Sequence, residues 1–178
     1  EVDTGSLIHA LQNHDEMTMG ISHFARHADD SFPFRGAQVT GRQLRDTVRA
    51  EMYAKLIVEP NPYNLKFGEG VASTTATIIT SALGLKDISK LSRANVEQIK
   101  RLHLLLAFYN AFQPGVFALS GWDLVGALTL PADQVRDRLA DGDTRWINRG
   151  SYDLLGTHPK ATRSAAGIPR TKAIYGPL

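Results

Sequence analysis

Cysteine is absent from the 178-residue chain, and methionine and tryptophan occur only three and two times. The absence of cysteine excludes a disulfide framework and any metal site with thiolate ligands, and it favours a cytoplasmic location. No apolar run approaches the ~20 residues that a transmembrane helix requires, and the chain does not open with a basic segment followed by an apolar one, as a signal peptide does. We therefore expect no association with a membrane.

The chain also lacks a large excess of charge of one sign, because it contains 20 Lys and Arg residues and 18 Asp and Glu residues. The isoelectric point near 9.0 follows from this small excess. No aromatic residues interleave with the basic ones in a way that would stack on bases, so we expect no nucleic-acid partner. The hydrophobic fraction of 43% and the charged fraction of 21% are those of an ordinary globular domain with its own core.

Both ends of the sequence are expected to be cuts within a longer protein. The chain begins Glu-Val-Asp rather than with Met, and residues 175–178 complete no clear element. Residues 154–178 contain four basic residues and no acidic residue. This composition, with Gly and Pro near the end, predicts an extended tail packed on another part of the molecule.

Two segments carry the apolar periodicity of amphipathic helices. The first covers residues 41–58, and its inner positions are Leu44, Val48, Met52 and Leu56. The second begins after the N-cap Ser92 and runs to Phe112, with an inner stripe of Val96, Ile99, Leu102, Leu106 and Tyr109. Its part from 104 to 112 is apolar on nearly every side, which predicts that it lies between two layers.

Three further segments have weaker patterns. Residues 71–83 are ambiguous, since β-branched residues favour a strand while small residues and the following Gly84 favour a buried helix, and we expect the helix. Residues 22–40 are polar and contain the sequence SFPF, which predicts a long loop. A short helix is expected near residues 131–139.

Two short apolar runs each end in polar residues. Residues 7–11 precede Asn13-His14-Asp15-Glu16, and residues 116–120 precede Trp122-Asp123. Strands separated by helices, with polar groups at their carboxyl ends, are typical of a parallel β/α architecture. We therefore expect the two runs to be neighbouring parallel strands joined by a right-handed crossover.

The group around His14 and Asp15 is the main candidate for chemistry. A carboxylate at a strand tip can bind sugar hydroxyls in bidentate fashion or stabilise a positive transition state. The alternative interpretation is a strand-terminal turn in which Asn13 or Asp15 binds backbone amides.

Other polar groups give weaker signals. His23 and His27, followed by Asp29 and Asp30, resemble half of a zinc site, but no second pair has matching spacing, and we expect no metal and no cofactor. The segment FGEG at residues 67–70 lacks the remaining residues of a phosphate loop and predicts a turn. His103 lies within an apolar helix and is expected to be a satisfied core histidine or a histidine on a subunit face rather than a ligand.

The sequence Asn13-His14-Asp15-Glu16 after an apolar strand resembles the fourth signature region of the α-amylase family of glycoside hydrolases. That region follows the seventh strand of a (β/α)8 barrel, and the segment QPGVFALSGWDLVG at residues 113–126 resembles the family's eighth strand. Within the family, this sequence motif is most similar to that of trehalose synthases, which interconvert maltose and trehalose. The resemblance implies an α/β chain, mostly helical by residue count, that forms the C-terminal portion of a TIM barrel over residues 1–178. Strand seven would lie near residues 7–11 and strand eight near 116–120.

The resemblance also implies roles for individual residues. Asp15 matches the third catalytic carboxylate of the family, and His14 matches the histidine beside the scissile bond. The remaining positions with an implied role in binding an α-glucoside or disaccharide are Asn13, Glu16, Trp122 and Asp123.

The nucleophile and the acid/base of the family have no match here, so the chain is expected to be inactive alone. As an open piece of barrel it is expected to expose apolar surface and to self-associate. The alternative is a stand-alone helical binding domain in which the motif is accidental.

Overall fold

A computed structural model describes residues 3–15, 17–18, 21–57, 61–150 and 172–175. Its α-helices are α1 (Ser22–Arg26), α2 (Gly41–Leu56), α3 (Thr75–Ala82), α4 (Arg93–Ala111) and α5 (Gly121–Val125). Its strands are β1 (Ile8–His9), β2 (Met17–Thr18), β3 (Ser31–Phe34), β4 (Ala37–Thr40), β5 (Leu65–Phe67), β6 (Gly70–Ala72) and β7 (Val116–Phe117). Short 3₁₀ helices cover Thr4–Ser6, Ala132–Arg138 and Thr144–Asn148. Helical residues therefore outnumber strand residues in this part of the chain.

The two predicted strands are parallel neighbours, as the sequence led us to expect. β1 pairs with β7 in the register Ile8 to Val116 and His9 to Phe117. The amide of Val116 donates to the carbonyl of Leu7 at 2.7 Å, and the amide of Ala118 donates to the carbonyl of His9 at 2.8 Å. This pairing joins two segments that lie more than a hundred residues apart in the sequence.

The apolar residues of these strands are largely exposed, although parallel sheets are ordinarily buried on both faces. Leu7 is 42% exposed, Ile8 76% and Val116 55%. The predicted spans 7–11 and 116–120 also shrink to two residues each. Among the described residues the sheet has only these two strands, so no further strand extends the ladder or covers its faces.

The other sheets are antiparallel and were not predicted. β2, β6 and β5 form a three-stranded sheet, and β3 and β4 form a hairpin. Residues 22–40 are therefore not a long loop. The hairpin reverses at Arg35 and Gly36, whose φ angles of 52° and 82° are those of a two-residue turn with the twist that hairpins favour.

Helix α2 agrees with its apolar periodicity. The Thr40 side chain accepts a hydrogen bond from the Gln43 amide, and Gln43 Oε1 accepts one from the Thr40 amide. These two bonds form a capping box at the start of the helix. Leu44 is buried, and the other three positions of the inner stripe are half-buried. The last predicted residue, 58, lies outside the described residues.

The ambiguous segment 71–83 contains both structures that its sequence favoured. Residues 71 and 72 belong to β6, and α3 begins only at Thr75 after the N-cap Thr74. Gly84, with φ of 69°, follows the helix as expected. The 3₁₀ helix Ala132–Arg138 likewise confirms the short helix expected near residues 131–139.

Helix α4 has the limits that the sequence predicted, but its C-terminal half is more exposed than predicted. Ser92 and Asn95 form its capping box, and Ile99 and His103 are its buried residues. Leu106 is 38% exposed and Tyr109 68%, although both were expected on the inner stripe. The C-terminal half is not enclosed between layers, because in the described structure the core packs only against the N-terminal half.

Two hydrophobic clusters form the core. The first joins α3 and α4 to the segment after α5 through Ala76, Ile79, Ile99, Leu128 and Ile174. The second joins β6 to the two later 3₁₀ helices through Ala72, Leu130, Val135 and Ile147. The extended segment from Leu128 to Leu130 contributes to both, and it connects the two halves of the molecule.

Most of the predicted tail, residues 154–178, lies outside the described residues. Residues 172–175 dock beside the segment that follows α5, where Leu128 donates to the Lys172 carbonyl at 2.8 Å and Ile174 donates to the Gly126 carbonyl at 3.0 Å. These four residues are packed on another part of the molecule, as expected.

Candidate active site at the tip of strand β1

A groove of about 550 Å³ lies along β1 and the loop that follows it. Residues 8–13 line it together with Asp15 and Met17. Of the residues predicted to carry function, Asn13 and Asp15 therefore face the same open space. His14 is not among the lining residues, and Glu16 lies outside the described residues.

The carboxylate of Asp15 is held by two arginines from the far end of the chain. Its Oδ1 lies 3.1 Å from Arg145 Nη1 and 3.3 Å from Arg149 Nη2. Its Oδ2 lies 3.6 Å from His14 Nε2. The Asp15 side chain is still 40% exposed, so a solute in the groove can reach it.

A second carboxylate holds the same two arginines. Asp143 accepts from Arg145 Nε at 2.8 Å and from Arg145 Nη2 at 2.9 Å, and Arg149 Nη1 lies 3.3 Å away. The hydrogen bond from Arg145 keeps the pKa of the Asp143 carboxyl below its usual value. Two carboxylates and two guanidinium groups thus balance their charges beside the groove.

The loop backbone is also fixed. Asn13 Oδ1 accepts from the Asp15 amide at 2.8 Å. This contact is typical of a strand-terminal turn, which is the alternative interpretation of the motif. Arg149 Nε donates to the His14 carbonyl at 3.0 Å, and Asn148 Nδ2 donates to the carbonyls of His14 and Asp15 at 3.3 Å each. Asn13 therefore shapes the loop that presents Asp15.

Gln12 anchors the beginning of this loop to helix α3. Its side chain is buried, and its Oε1 accepts from the Thr75 amide at 2.6 Å and from Thr75 Oγ1 at 3.3 Å. The amide of Thr75 belongs to the first turn of α3, where backbone N–H groups need external partners. The loop is consequently tied to the core at one end and to the 3₁₀ helix Thr144–Asn148 at the other.

Trp122 and Asp123 do not line this groove. Asp123 points into the protein, where its Oδ1 lies 3.0 Å from His103 Nε2 and its Oδ2 accepts from Ser120 Oγ at 2.8 Å. Trp122 Nε1 donates to the Gly150 carbonyl at 3.3 Å. The structure thus keeps the second predicted tip apart from the Asp15 groove, although the strands that carry the two tips are paired.

The structure also locates the weaker candidates. His27 Nδ1 lies 2.7 Å from Asp30 Oδ2, and His23 packs edge-on against Phe24 and Phe32. Among the described residues no three His, Asp or Glu side chains are grouped to hold a metal ion. The predicted turn is confirmed at Gly68 between β5 and β6. His103 is buried as expected, but only its Nε2 is partnered, by Asp123, and Nδ1 has no hydrogen-bond partner among the described residues.

Sequence reasoning missed Arg145, Arg149, Asp143 and Asn148. Arg145, Asn148 and Arg149 contact residues 14 and 15 across 130 or more positions. Asp143 contacts the two arginines. The four residues are close in the sequence, since they fall within seven positions on one short 3₁₀ helix and its two caps. Nothing in that spacing, however, points to the distant loop.

No helix within the described ranges combines the length and hydropathy needed to cross a bilayer. Comparisons of the chain with family models, with curated proteins and with solved structures give no match. The resemblance to the α-amylase family therefore depends on the residues of the two strand tips.

Proposed function

We propose that this chain is the C-terminal part of a retaining, α-glucoside-acting enzyme of the α-amylase family, most similar to trehalose synthases. The observation that carries the proposal is the half-exposed Asp15 carboxylate, in a groove at the carboxyl end of a strand that pairs in parallel with the second motif-bearing strand. Catalytic carboxylates of (β/α)8 barrels occupy such positions. A cytoplasmic location, favoured by the absence of cysteine, is part of the proposal.

Asp15 acts in this proposal as the carboxylate that binds sugar hydroxyls and stabilises the oxocarbenium-like transition state. His14, whose Nε2 lies 3.6 Å from Asp15 Oδ2, donates to a neighbouring hydroxyl. Glu16 keeps the binding role that the resemblance implies. Asp123 does not, because its side chain is 1% exposed and bonded to His103 and Ser120, and Trp122 does not line the groove. Retaining chemistry needs two further carboxyl groups about 5 Å apart, and these belong to the part of the barrel outside the chain.

The uncovered surface of the chain supports a portion of a barrel. Ile8 and Val116 on the parallel strands are 76% and 55% exposed, and Phe108 and Phe112 on α4 are 61% and 83% exposed. Parallel sheets are ordinarily buried on both faces, so a two-stranded parallel sheet with exposed apolar residues requires additional strands or helices.

The test is an assay of the full-length gene product that contains these residues. We expect interconversion of maltose and trehalose, with some glucose release, and we expect Asp15→Asn to lower turnover by roughly 10²- to 10³-fold or more while the fold is retained. Asp137→Asn, an exposed aspartate on the 3₁₀ helix Ala132–Arg138, is the matched control and is expected to leave turnover unchanged.

The 178-residue chain assayed beside the full-length protein is expected to show no turnover. Turnover by the chain at even a few per cent of the parent rate would mean that it contains its own nucleophile. Near-normal turnover of the Asp15→Asn protein would remove Asp15 from the mechanism. A full-length protein inactive on maltose, trehalose and starch would contradict the proposal as a whole.

The alternative function is a stand-alone helical binding domain without catalysis. The exposed apolar side chains of α4 favour it, since a protein-binding helix has the same appearance. The coding sequence upstream of Glu1 separates the two functions. Strands ending in the family's other carboxylates support the enzyme, whereas a start codon immediately before Glu1 supports the binding domain.

A further inference from the structure

Two arginines from one 3₁₀ helix and its cap converge on a single oxygen of Asp15. Arg145 Nη1 and Arg149 Nη2 both approach Oδ1, at 3.1 Å and 3.3 Å. The arginine side chains are only 25% and 22% exposed, less than the 40% of Asp15 itself. The more buried groups are therefore the arginines, and Asp15 is the group at the groove.

The arginines are fixed independently of Asp15. Asp143 binds Arg145 through two nitrogens and Arg149 through a third, a geometry that restricts the guanidinium planes. The Arg145 guanidinium also lies over the Phe67 ring, 4.2 Å from its centroid. Contacts other than those with Asp15 therefore also restrain the two cations.

The same short helix fixes the backbone that carries Asp15. The His14 carbonyl accepts from Arg149 Nε, and Asn148 Nδ2 reaches the carbonyls of both loop residues. Side chain and backbone of Asp15 are thus held from one direction, which leaves Oδ2 on the side of His14.

We propose that Arg145 and Arg149 are positioning residues that hold Asp15 Oδ1, so that Oδ2 is presented to a sugar hydroxyl in the groove. This inference rests on the proposed function, because it assigns the arginines a part in the reaction of that site. A displacement of about 1 Å of a catalytic group can lower turnover ~10²-fold, so loss of this support is expected to lower turnover.

The test compares Arg149→Gln and Arg149→Lys in the full-length gene product. We expect Arg149→Gln to lower kcat about 10- to 100-fold with a small change in KM, and Arg149→Lys to recover part of that loss because the charge is kept. Arg136→Gln removes the same charge from an exposed position nearby and is expected to leave kcat unchanged. Thermal unfolding midpoints of all variants show whether the fold is retained.

A second measurement separates positioning from a general structural role. In the Asp15→Asn background, Arg149→Gln is expected to cause little further loss of kcat, because the carboxylate that it positions is already gone. An equal loss in both backgrounds would overturn the positioning role, as would normal kcat in Arg149→Gln alone. If the protein with native sequence has no turnover on α-glucosides, the proposed function fails first and this role fails with it.

Discussion

His103 and Asp123 form a buried pair that joins α4 to α5. Nε2 of His103 lies 3.0 Å from Oδ1 of Asp123, and the two side chains are only 3% and 1% exposed. Ser120 Oγ donates to the second carboxylate oxygen, so both oxygens have partners. Because only residues 118–120 separate β7 from α5, this pair fixes the end of the parallel sheet against the long helix.

We expect Asp123→Ala to lower the free energy of unfolding by about 3 kcal/mol, because it leaves the buried His103 and Ser120 without their partner. Denaturant unfolding measures the difference. Asp133→Ala, an exposed position in the 3₁₀ helix Ala132–Arg138, serves as the control and is expected to change stability by less than about 0.5 kcal/mol. Equal stabilities of the two variants would show that the pair does not hold α5.

The acid dependence of stability should depend on Asp143. Its pKa is lower in the folded protein, chiefly because Arg145 donates to it. A carboxyl with a depressed folded pKa stabilises the fold above its unfolded pKa of about 3.9, and this contribution is lost as the pH falls through the folded pKa. We expect Asp143→Asn to be less stable than the wild type at pH 7 and to lose less stability below about pH 4.

Thermal unfolding midpoints between pH 7 and pH 2.5 test the Asp143 prediction. Asp137→Asn, which removes an exposed carboxylate on the 3₁₀ helix Ala132–Arg138, is the control. A wild-type curve and an Asp143→Asn curve that run parallel at every pH would contradict the assignment.

Gly115 permits the close approach of β1 and β7. Its φ is +123°, and a Cβ at this position would lie 2.7 Å from the Leu7 carbonyl oxygen. Gly142 also has a positive φ of +86°, but nothing lies within 4 Å of its Cβ position. Both alanine variants should lose about 1–2 kcal/mol for backbone conformation, and Gly115→Ala should lose a further 1–3 kcal/mol, approximately, for the clash.

Denaturant unfolding of the two glycine variants gives the comparison directly. The excess loss in Gly115→Ala over Gly142→Ala measures the contact with Leu7 together with the greater backbone strain at φ +123° than at +86°. Equal losses would mean that β1 moves away from β7 at little cost.

The exposed apolar face of α4 should cause the 178-residue chain to self-associate. Leu105 and Phe108 are each 61% exposed on this face. We expect the double variant Leu105→Gln/Phe108→Gln to sediment with a lower average mass than the wild type, because apolar area drives the association. Arg101→Gln, exposed on the same helix, is the control. A wild-type chain that is monomeric at high concentration would contradict this prediction.

The sequence alone determined the features that depend on neighbouring residues. Ser92 as a cap and the apolar period of residues 41–56 predicted α4 and α2, because capping and helical periodicity are local. The parallel pairing of β1 and β7 also followed, since the order of strand, helices and strand restricts the connection. The resemblance further singled out Asp15, which does lie in a groove.

The tertiary structure decided what depends on distant contacts. Residues 22–40 form a helix and a hairpin, because Arg35 and Gly36 adopt positive φ angles that polarity does not predict. The inner stripe of α4 ends near His103, since burial depends on which elements reach the helix. Asp15 meets Arg145 and Arg149, and Asp123 instead turns to His103. Ion pairs between residues 130 positions apart form only when the chain has folded. The sequence around each residue therefore does not predict them.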